Sequence, residues 1–257
     1  MKKIIILSVL SILILSPKKI QAQKKAADAA VVVGGLLALG SSIAAFKIME
    51  EQLELSATEW VLSNRDDLSN FYLEVINFNS AKISDISNTT VVAFKVHEME
   101  MNGVPSITGK RRVLFCFTSR GWVTDSGVDV SKISWFLINE DEWLNMMVSY
   151  VKVASENKDE ASIRELLPIA QIEKKGIKLK KKIVLPFYKI NGDSYLVSDY
   201  SDKMKLVYNE KSLGIFLKET KVLVQLSRNS LRDVHDFLFY RKKIDKISES
   251  QRPKFGY

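Results

Sequence analysis

Residues 132–152 read KISWFLINEDEWLNMMVSYVK. The run KISWFLI is apolar and has the length of a strand, and the residues after it place apolar side chains at helical spacing. Asn139 between them is a candidate helix N-cap, and Glu142 three residues later has the position that completes a capping box. This stretch therefore predicts a strand that turns directly into a helix.

A second stretch, KVLVQLSRNSLRDVHDFLFYR, begins at Lys221 and repeats the same order at an offset of 89 residues. Here Ser230 and Asp233 have the spacing of a capping box, and the basic residues 241–243 suit the last turn of a helix. The two stretches predict an α+β protein with two β-rich modules that each end in a helix. A tandem repeat is one interpretation of the match, and two unrelated α+β units are the other.

Further runs of alternating or β-branched residues predict more strands. They are FYLEVINF, TTVVAFKVHEME and RRVLFCFTS in the first half, and KKIVLPFYKI, DSYLVSDY, MKLVY and LGIFLK in the second. Asn191-Gly192 lies between KKIVLPFYKI and DSYLVSDY and is typical of a β-hairpin turn. We therefore expect those two runs to pair with each other.

The first 22 residues have the pattern of an export signal. A basic MKK precedes the apolar run IIILSVLSILIL, and SPKKIQA then leads to a cleavage site after Ala22. The alternative, an uncleaved membrane span, is disfavoured by the lysines that follow the run, because positive charge favours the cytoplasmic side. We expect an exported protein of the periplasm or cell envelope.

Residues 23–55 are rich in alanine and leucine and predict a helix. The apolar part, residues 29–46, is about 27 Å long as a helix, near the lower limit for crossing a bilayer. One face of it carries small side chains, at Ala30, Gly34, Ala38 and Ser42, a spacing that lets helices pack closely in membranes. We expect residues 26–46 to bind a membrane or a membrane-protein partner, or to form a homo-oligomer.

The charges are unevenly distributed along the chain. Residues 56–155 hold 9 basic and 12 acidic residues, whereas residues 156–257 hold 22 basic and 14 acidic residues. Such asymmetry indicates two modules with different surfaces. The predicted organisation is a signal peptide at 1–22, a helix at 23–55, a first module at 56–155, a linker at 156–165, a basic second module at 166–250 and a tail at 251–257.

A run of lysines is the most unusual polar feature. It consists of Lys174, Lys175, Lys178, Lys180, Lys181 and Lys182. Nucleic acid is the usual partner of such a patch, but export and the lack of interleaved aromatic residues argue against it. Anionic lipid head groups are the partner that an exported protein meets. The other interpretation is an edge strand on which lysines discourage further pairing.

The sequence contains no convergent set of catalytic, cofactor-binding or metal-binding residues. His97 and His235 lack metal-ligand spacing, and we expect both at the surface or at its boundary. Cys116, the only cysteine, lies in an apolar run, so we expect it to be buried and unreactive. Arg120 and Trp122 form either an interface loop or a turn whose tryptophan packs inward.

Together these features favour an exported, non-catalytic cell-envelope protein that acts as a scaffold or binding subunit of a membrane-associated assembly. The alternative is a soluble periplasmic or secreted enzyme, hydrolase-like and with an unrecognised site, in which residues 29–46 form a buried core helix. Neither hypothesis involves a cofactor.

Overall fold

The computed structural model describes residues 43–76, 90–124, 127–156, 159–190 and 195–240. The predicted signal peptide, the small-residue face at Ala30, Gly34, Ala38 and Ser42, and the tail lie outside these ranges. Within them, no helix combines the length and the apolar character that a membrane crossing requires.

The described residues form the predicted α+β fold, with four helices and several antiparallel sheets. The helices are α1 (Ile43–Asn64), α2 (Glu140–Ala154), α3 (Glu160–Leu166) and α4 (Arg228–Phe239).

The first half of the chain builds a four-stranded antiparallel sheet in the order β1-β2-β3-β6, with a small hairpin, β4-β5, inserted before its last strand. These strands are β1 (Phe71–Val75), β2 (Val91–Glu100), β3 (Ser106–Thr118), β4 (Val123–Thr124), β5 (Gly127–Val128) and β6 (Ile133–Ile138).

The second half builds two antiparallel sheets, one of three strands and one of four, in the orders β7-β8-β9 and β10-β11-β12-β13. Their strands are β7 (Gln171–Glu173), β8 (Gly176–Leu179), β9 (Lys182–Pro186), β10 (Leu196–Asp199), β11 (Met204–Tyr208), β12 (Ser212–Leu217) and β13 (Val222–Ser227).

Helix α1 covers one face of the first sheet. Its buried side chains recur every fourth residue, so they form one stripe along the helix; they are Met49, Leu53, Ala57 and Val61. The stripe packs on side chains such as Phe94 of β2 and Leu114 of β3. The helix continues beyond Leu55, where we expected it to end, because residues 56–64 still supply this buried face.

The opposite face of the first sheet belongs to a core that both halves of the chain share. Phe115 of β3 and Trp143 of α2 lie in the same buried cluster as Ile215 of β12 and Leu231 of α4. Because successive strand residues point to opposite faces, β2 and β3 supply both this shared core and the layer under α1. The first sheet is thus covered on both sides.

Gly127 lies where the β4-β5 hairpin packs against α1. The Gln52 side chain of α1 accepts a hydrogen bond from the Val128 backbone N–H at 3.0 Å. A Cβ on Gly127 would lie 2.5 Å from Gln52 Oε1, and the φ of +116° is itself one that other residues rarely adopt. A larger residue here would therefore strain the backbone and displace the Gln52 amide from Val128.

The two predicted helix starts have different outcomes. For α2 the capping box is confirmed, since Asn139 Oδ1 accepts from the Glu142 N–H and Glu142 Oε2 accepts from the Asn139 N–H. For α4 the predicted Ser230/Asp233 box is wrong. Ser227, the last residue of β13, is the N-cap and accepts from the Ser230 N–H at 3.2 Å. The helix begins earlier because the strand leads into it without a loop.

The predicted pairing across Asn191-Gly192 is also wrong. Strand β9 pairs with β8, and β10 pairs with β11, so the two runs belong to different sheets. After Pro186 the chain leaves its sheet, and the Tyr188 N–H donates to the Ala154 carbonyl at the end of α2. Packing against α2 therefore outweighs the local turn signal; residues 191–194 themselves lie outside the described ranges.

Candidate functional site

A group of ionisable side chains lies at the β1 edge of the first sheet. In the strand register Tyr72 is opposite His97, which is opposite Arg111, and Glu74 is opposite Lys95. Because strand side chains alternate between faces, all of these lie on the face that packs against α4. We define the edge cluster as Tyr72, Glu74, Lys95, His97, Arg111 and Phe237 of α4.

His97 is held between two aromatic rings. The Tyr72 ring is stacked on it with centroids 4.3 Å apart and planes 5° from parallel. Phe237 approaches edge-on, with centroids 5.1 Å apart. As a result His97 is only 3% exposed, in contrast to the surface or boundary position expected from the sequence.

Glu74 is the half-exposed carboxylate of the edge cluster. His97 Nε2 lies 3.5 Å from one of its oxygens, and Lys95 Nζ lies 2.7 Å from the other. These two neighbours hold the pKa of Glu74 at about 2, although partial burial opposes them. The His97 contact is longer than a normal hydrogen bond and leaves Nε2 without a well-formed one, so Lys95 is the firmer partner.

Arg111 connects the edge cluster to the end of α4. Its Nη1 donates to the Phe237 carbonyl at 2.9 Å, and its guanidinium lies 5.7 Å from the centre of the Phe237 ring. Lys95 Nζ lies at the same distance from that ring. Cations at a helix C-terminus interact favourably with its partial negative charge. The cluster therefore fastens α4 to the edge strands of the first sheet.

A histidine beside a carboxylate is also the pairing that general acid–base catalysis uses. Such a base must reach the proton that it removes. In the edge cluster, Tyr72 and Phe237 cover the two sides of His97, and Glu74 and Tyr72 are more exposed than Lys95. The geometry is thus better suited to holding elements together than to receiving a substrate at His97.

His235 lies in the shared core and has both ring nitrogens in hydrogen bonds. Trp143 Nε1, which can only donate, lies 3.2 Å from Nδ1, so the proton is on Nε2 and is donated to the Leu167 carbonyl at 2.9 Å. Burial lowers the pKa of His235 to about 4, and the ring is neutral. The expected surface position is wrong here too, because the sequence does not show that Trp143 supplies a partner.

Cys116 and His97 do not meet. Cys116 is fully buried in the layer under α1, whereas His97 points to the other face of the sheet. Burial raises the pKa of the Cys116 thiol, as expected for a small buried residue in apolar surroundings.

The lysine run is divided between the two turns of the β7-β8-β9 sheet. Lys174 and Lys175 lie in the turn before β8, while Lys180 and Lys181 lie in the turn after it and Lys182 begins β9. Lys178, within β8, lies 3.6 Å from Glu173. The six lysines fall within nine positions of the sequence, but β8 places five of them in two groups at its opposite ends and keeps Lys178 between these groups.

Arg120 and Trp122 also separate in the structure. Arg120 is exposed in the turn after β3, whereas Trp122 is 2% exposed and packs in the layer under α1. A partner at this turn would therefore contact the arginine and not the indole ring.

An apolar groove of about 480 Å³ runs between α1 and β1. We call it the β1 groove. It is lined by Thr58, Leu62, Ser69, Asn70, Phe71, Tyr72, Leu73, Met99, Met101 and Pro105, none of which is charged. Leu62 and Met101 are more than half exposed. Sequence reasoning missed the groove because its lining comes from separate elements of the chain.

No family model, curated protein or solved structure matches this chain.

Proposed function

We propose that this protein is an exported, non-catalytic cell-envelope protein and acts as a scaffold or binding subunit of a membrane-associated assembly. The β1 groove is the observation that carries the proposal. Exposed apolar patches mark protein or membrane interaction sites and ligand-binding grooves, and none of the residues that line this groove is charged. By contrast, the ionisable groups of the edge cluster contact one another and the end of α4.

The position of α1 supports attachment through residues 26–46. The chain is already helical at Ile43, within that segment, and the same helix supplies Thr58 and Leu62 to the β1 groove. A membrane or membrane protein that contacts residues 43–46 would therefore be joined to the groove by one continuous helix. A rigid connection of this kind suits a scaffold.

Anionic lipid is the proposed partner of the lysine run. The two groups of lysines would contact head groups separately, because β8 lies between them. The turn at Lys174 is well anchored, since Arg228 of α4 donates a hydrogen bond to the Lys174 carbonyl. Strand β9 begins with Lys182 and ends with Pro186, which also fits the interpretation of a protected sheet edge.

We also propose that the two halves arose as a tandem repeat. At the offset of 89 residues, β6 (Ile133–Ile138) coincides with β13 (Val222–Ser227). Each is the last strand of a four-stranded antiparallel sheet, and each leads into a helix whose first turn is capped by a side chain. These shared features support the duplication and the two predicted modules.

An enzyme is the second candidate function, and the His97–Glu74 contact is the observation in its favour. A soluble periplasmic or secreted hydrolase would use this pair as its acid–base group. Glu74→Gln would then abolish turnover of a model ester or peptide substrate while the unfolding midpoint stays within the range of ordinary surface variants. A binding protein would show no turnover before or after the change.

The experiment that tests the proposed function is a pull-down from detergent-solubilised membranes with the full chain. Deletion of residues 26–46 and Leu62→Asp should each lose the captured partner. Ile169→Asp is the matched control, because Ile169 and Leu62 are 62% and 61% exposed and Ile169 lies outside the groove. If the unmodified protein captures nothing, or if both altered proteins capture the same partner, the proposal is wrong.

A further inference from the structure

We infer that the β1 groove and the open side of β1 bind a second copy of this chain, by antiparallel pairing of β1 with the same strand of the other copy. The inference rests on the proposed function, in which the groove is a binding surface. It assigns that surface to a second copy, so that Leu62→Asp would release the membrane partner by separating the two copies. It is carried by the exposed edge, the strand's own sequence and the uncharged lining of the groove.

Strand β1 is an end strand of its sheet and pairs only with β2 among the described residues. Its sequence, FYLEV, contains neither lysine nor proline. Natural proteins usually place such residues on edges to prevent further pairing, and β9 has both, at Lys182 and Pro186. The edge of β1 is therefore one that another strand can extend.

The sequence of β1 is complementary to itself in one register. A symmetric antiparallel pair centred on Leu73 sets Tyr72 opposite Glu74 of the other copy, and the same contact occurs twice. The tyrosine hydroxyl can donate to that carboxylate, and Phe71 meets Val75 on the groove side. Centring the pair on Glu74 would instead oppose two carboxylates, which is unfavourable. The chemistry of the strand thus favours the register centred on Leu73 over the one centred on Glu74.

The β1 groove suits the same arrangement. Since none of its lining residues is charged, two copies can bring these surfaces together without opposing like charges. Leu62 and Met101, more than half exposed in the single chain, would be covered by the second copy. Burial of such side chains on both partners is the main favourable contribution to an interface of this kind.

Disulfide formation between full-length chains tests the register directly. Tyr72→Cys and Glu74→Cys are suitable because both side chains are exposed and the only native cysteine, Cys116, is fully buried. When the two proteins, distinguished by a tag, are mixed and oxidised, we expect about tenfold more mixed dimer than either protein forms alone. In this register, position 72 of one copy lies opposite position 74 of the other, within disulfide reach. The same position in the two copies is offset by two residues and lies beyond that reach.

The control for random collision is Val197→Cys in β10, another end strand, where the side chain is 60% exposed. It should give no more than the background of mixed dimer with Glu74→Cys. Equal yields with Val197→Cys, or no mixed dimer for Tyr72→Cys with Glu74→Cys, would overturn the inference.

Sedimentation of the chain without engineered cysteines provides the second measurement. We expect a dimer that Leu62→Asp weakens by about tenfold, since a charge is then buried on both sides, and that Ile169→Asp leaves unchanged. A monomer at every concentration, together with a captured membrane partner, would overturn self-pairing and leave the proposed function standing. A dimer that captures nothing from membranes would overturn the proposed function and leave self-pairing standing.

Discussion

The two histidines of this protein are both buried, yet they occupy opposite kinds of site. His235 lies in the shared core, with each nitrogen in a hydrogen bond to a fixed partner. His97 lies at the sheet edge between two rings, with Nε2 3.5 Å from a half-exposed carboxylate. Burial alone therefore does not define the role of a histidine. The partners of its two nitrogens decide whether it is part of a fixed core or of an adjustable edge.

The largest expected effect comes from deleting each imidazole. His235→Ala should lower the free energy of unfolding by about 4 kcal/mol, because it leaves a cavity and strands both the Trp143 N–H and the Leu167 carbonyl. His97→Ala should cost about half of that, since it removes ring contacts but strands no firm hydrogen-bond partner. Urea unfolding of both variants measures the difference. Equal losses would show that the two sites are alike.

Stability should also depend on pH in two successive windows, the upper one set by His235 and the lower one by Glu74. The pKa of His235 is about 4 in the folded chain and 6.5 in the unfolded chain, so the unfolded state binds the proton first as the pH falls. Stability is therefore lost between about pH 6.5 and 4, by about 3 kcal/mol.

Glu74 acts in the lower window. Its pKa of about 2 lies below the ordinary 4.5, so its contribution is present above pH 4.5 and is lost as the pH falls towards 2. Unfolding midpoints recorded from pH 7 to pH 4.5 should fall for the unmodified chain and stay nearly level for His235→Ala. A fall of the same size in that variant would contradict the assignment.

A smaller effect is expected for Arg111→Met. It removes the charged hydrogen bond to the Phe237 carbonyl and should cost about 2 kcal/mol. Arg112→Met is the matched control on the opposite face of the same strand, where the guanidinium pairs with Asp67, a half-exposed carboxylate. That change should cost less than about 1 kcal/mol. If both variants unfold at the same urea concentration, Arg111 does not fasten α4 to the sheet.

Glu74→Gln should have the smallest effect. Glu74 is half exposed, so solvent screens its interactions with Lys95 and His97, and the loss at pH 7 should be below about 1 kcal/mol. The informative result is the dependence of stability on pH. The loss of stability below pH 4.5 should become shallower in Glu74→Gln, while the loss between about pH 6.5 and 4, which His235 causes, stays unchanged. If Glu74→Gln instead changes the loss of stability between about pH 6.5 and 4, the sites of His97 and His235 are energetically coupled.

Parts of the fold could be read directly from the sequence. The strand-to-helix junction at residues 132–152 was predicted with its capping box, because N-capping involves only residues within one helical turn. The α+β class and most strands followed from side-chain periodicity. The start of α4 was misplaced because Ser227 and Ser230 offer the same local chemistry, and only the end of β13 selects between them.

The candidate site was much harder to predict. His97 was noticed, but Glu74, Tyr72 and Arg111 became its neighbours only through strand register, which the sequence did not specify. The β1 groove has the same origin, as its lining combines α1, β1 and the hairpin between β2 and β3. The hairpin predicted at Asn191-Gly192 was wrong because a contact between distant segments prevailed over a local pattern. The chain bonds to the end of α2 at Tyr188, before it reaches the expected turn.

The sequence by itself determined the class of fold, the local helix start at Asn139 and the burial of Cys116, since each depends on side chains close together along the chain. Tertiary structure alone decided which strands pair, where the lysines lie and which partners the two histidines have. Contacts between distant segments depend on how whole faces pack, and two positions with similar local sequence then acquire different environments. His97 and His235 differ for that reason.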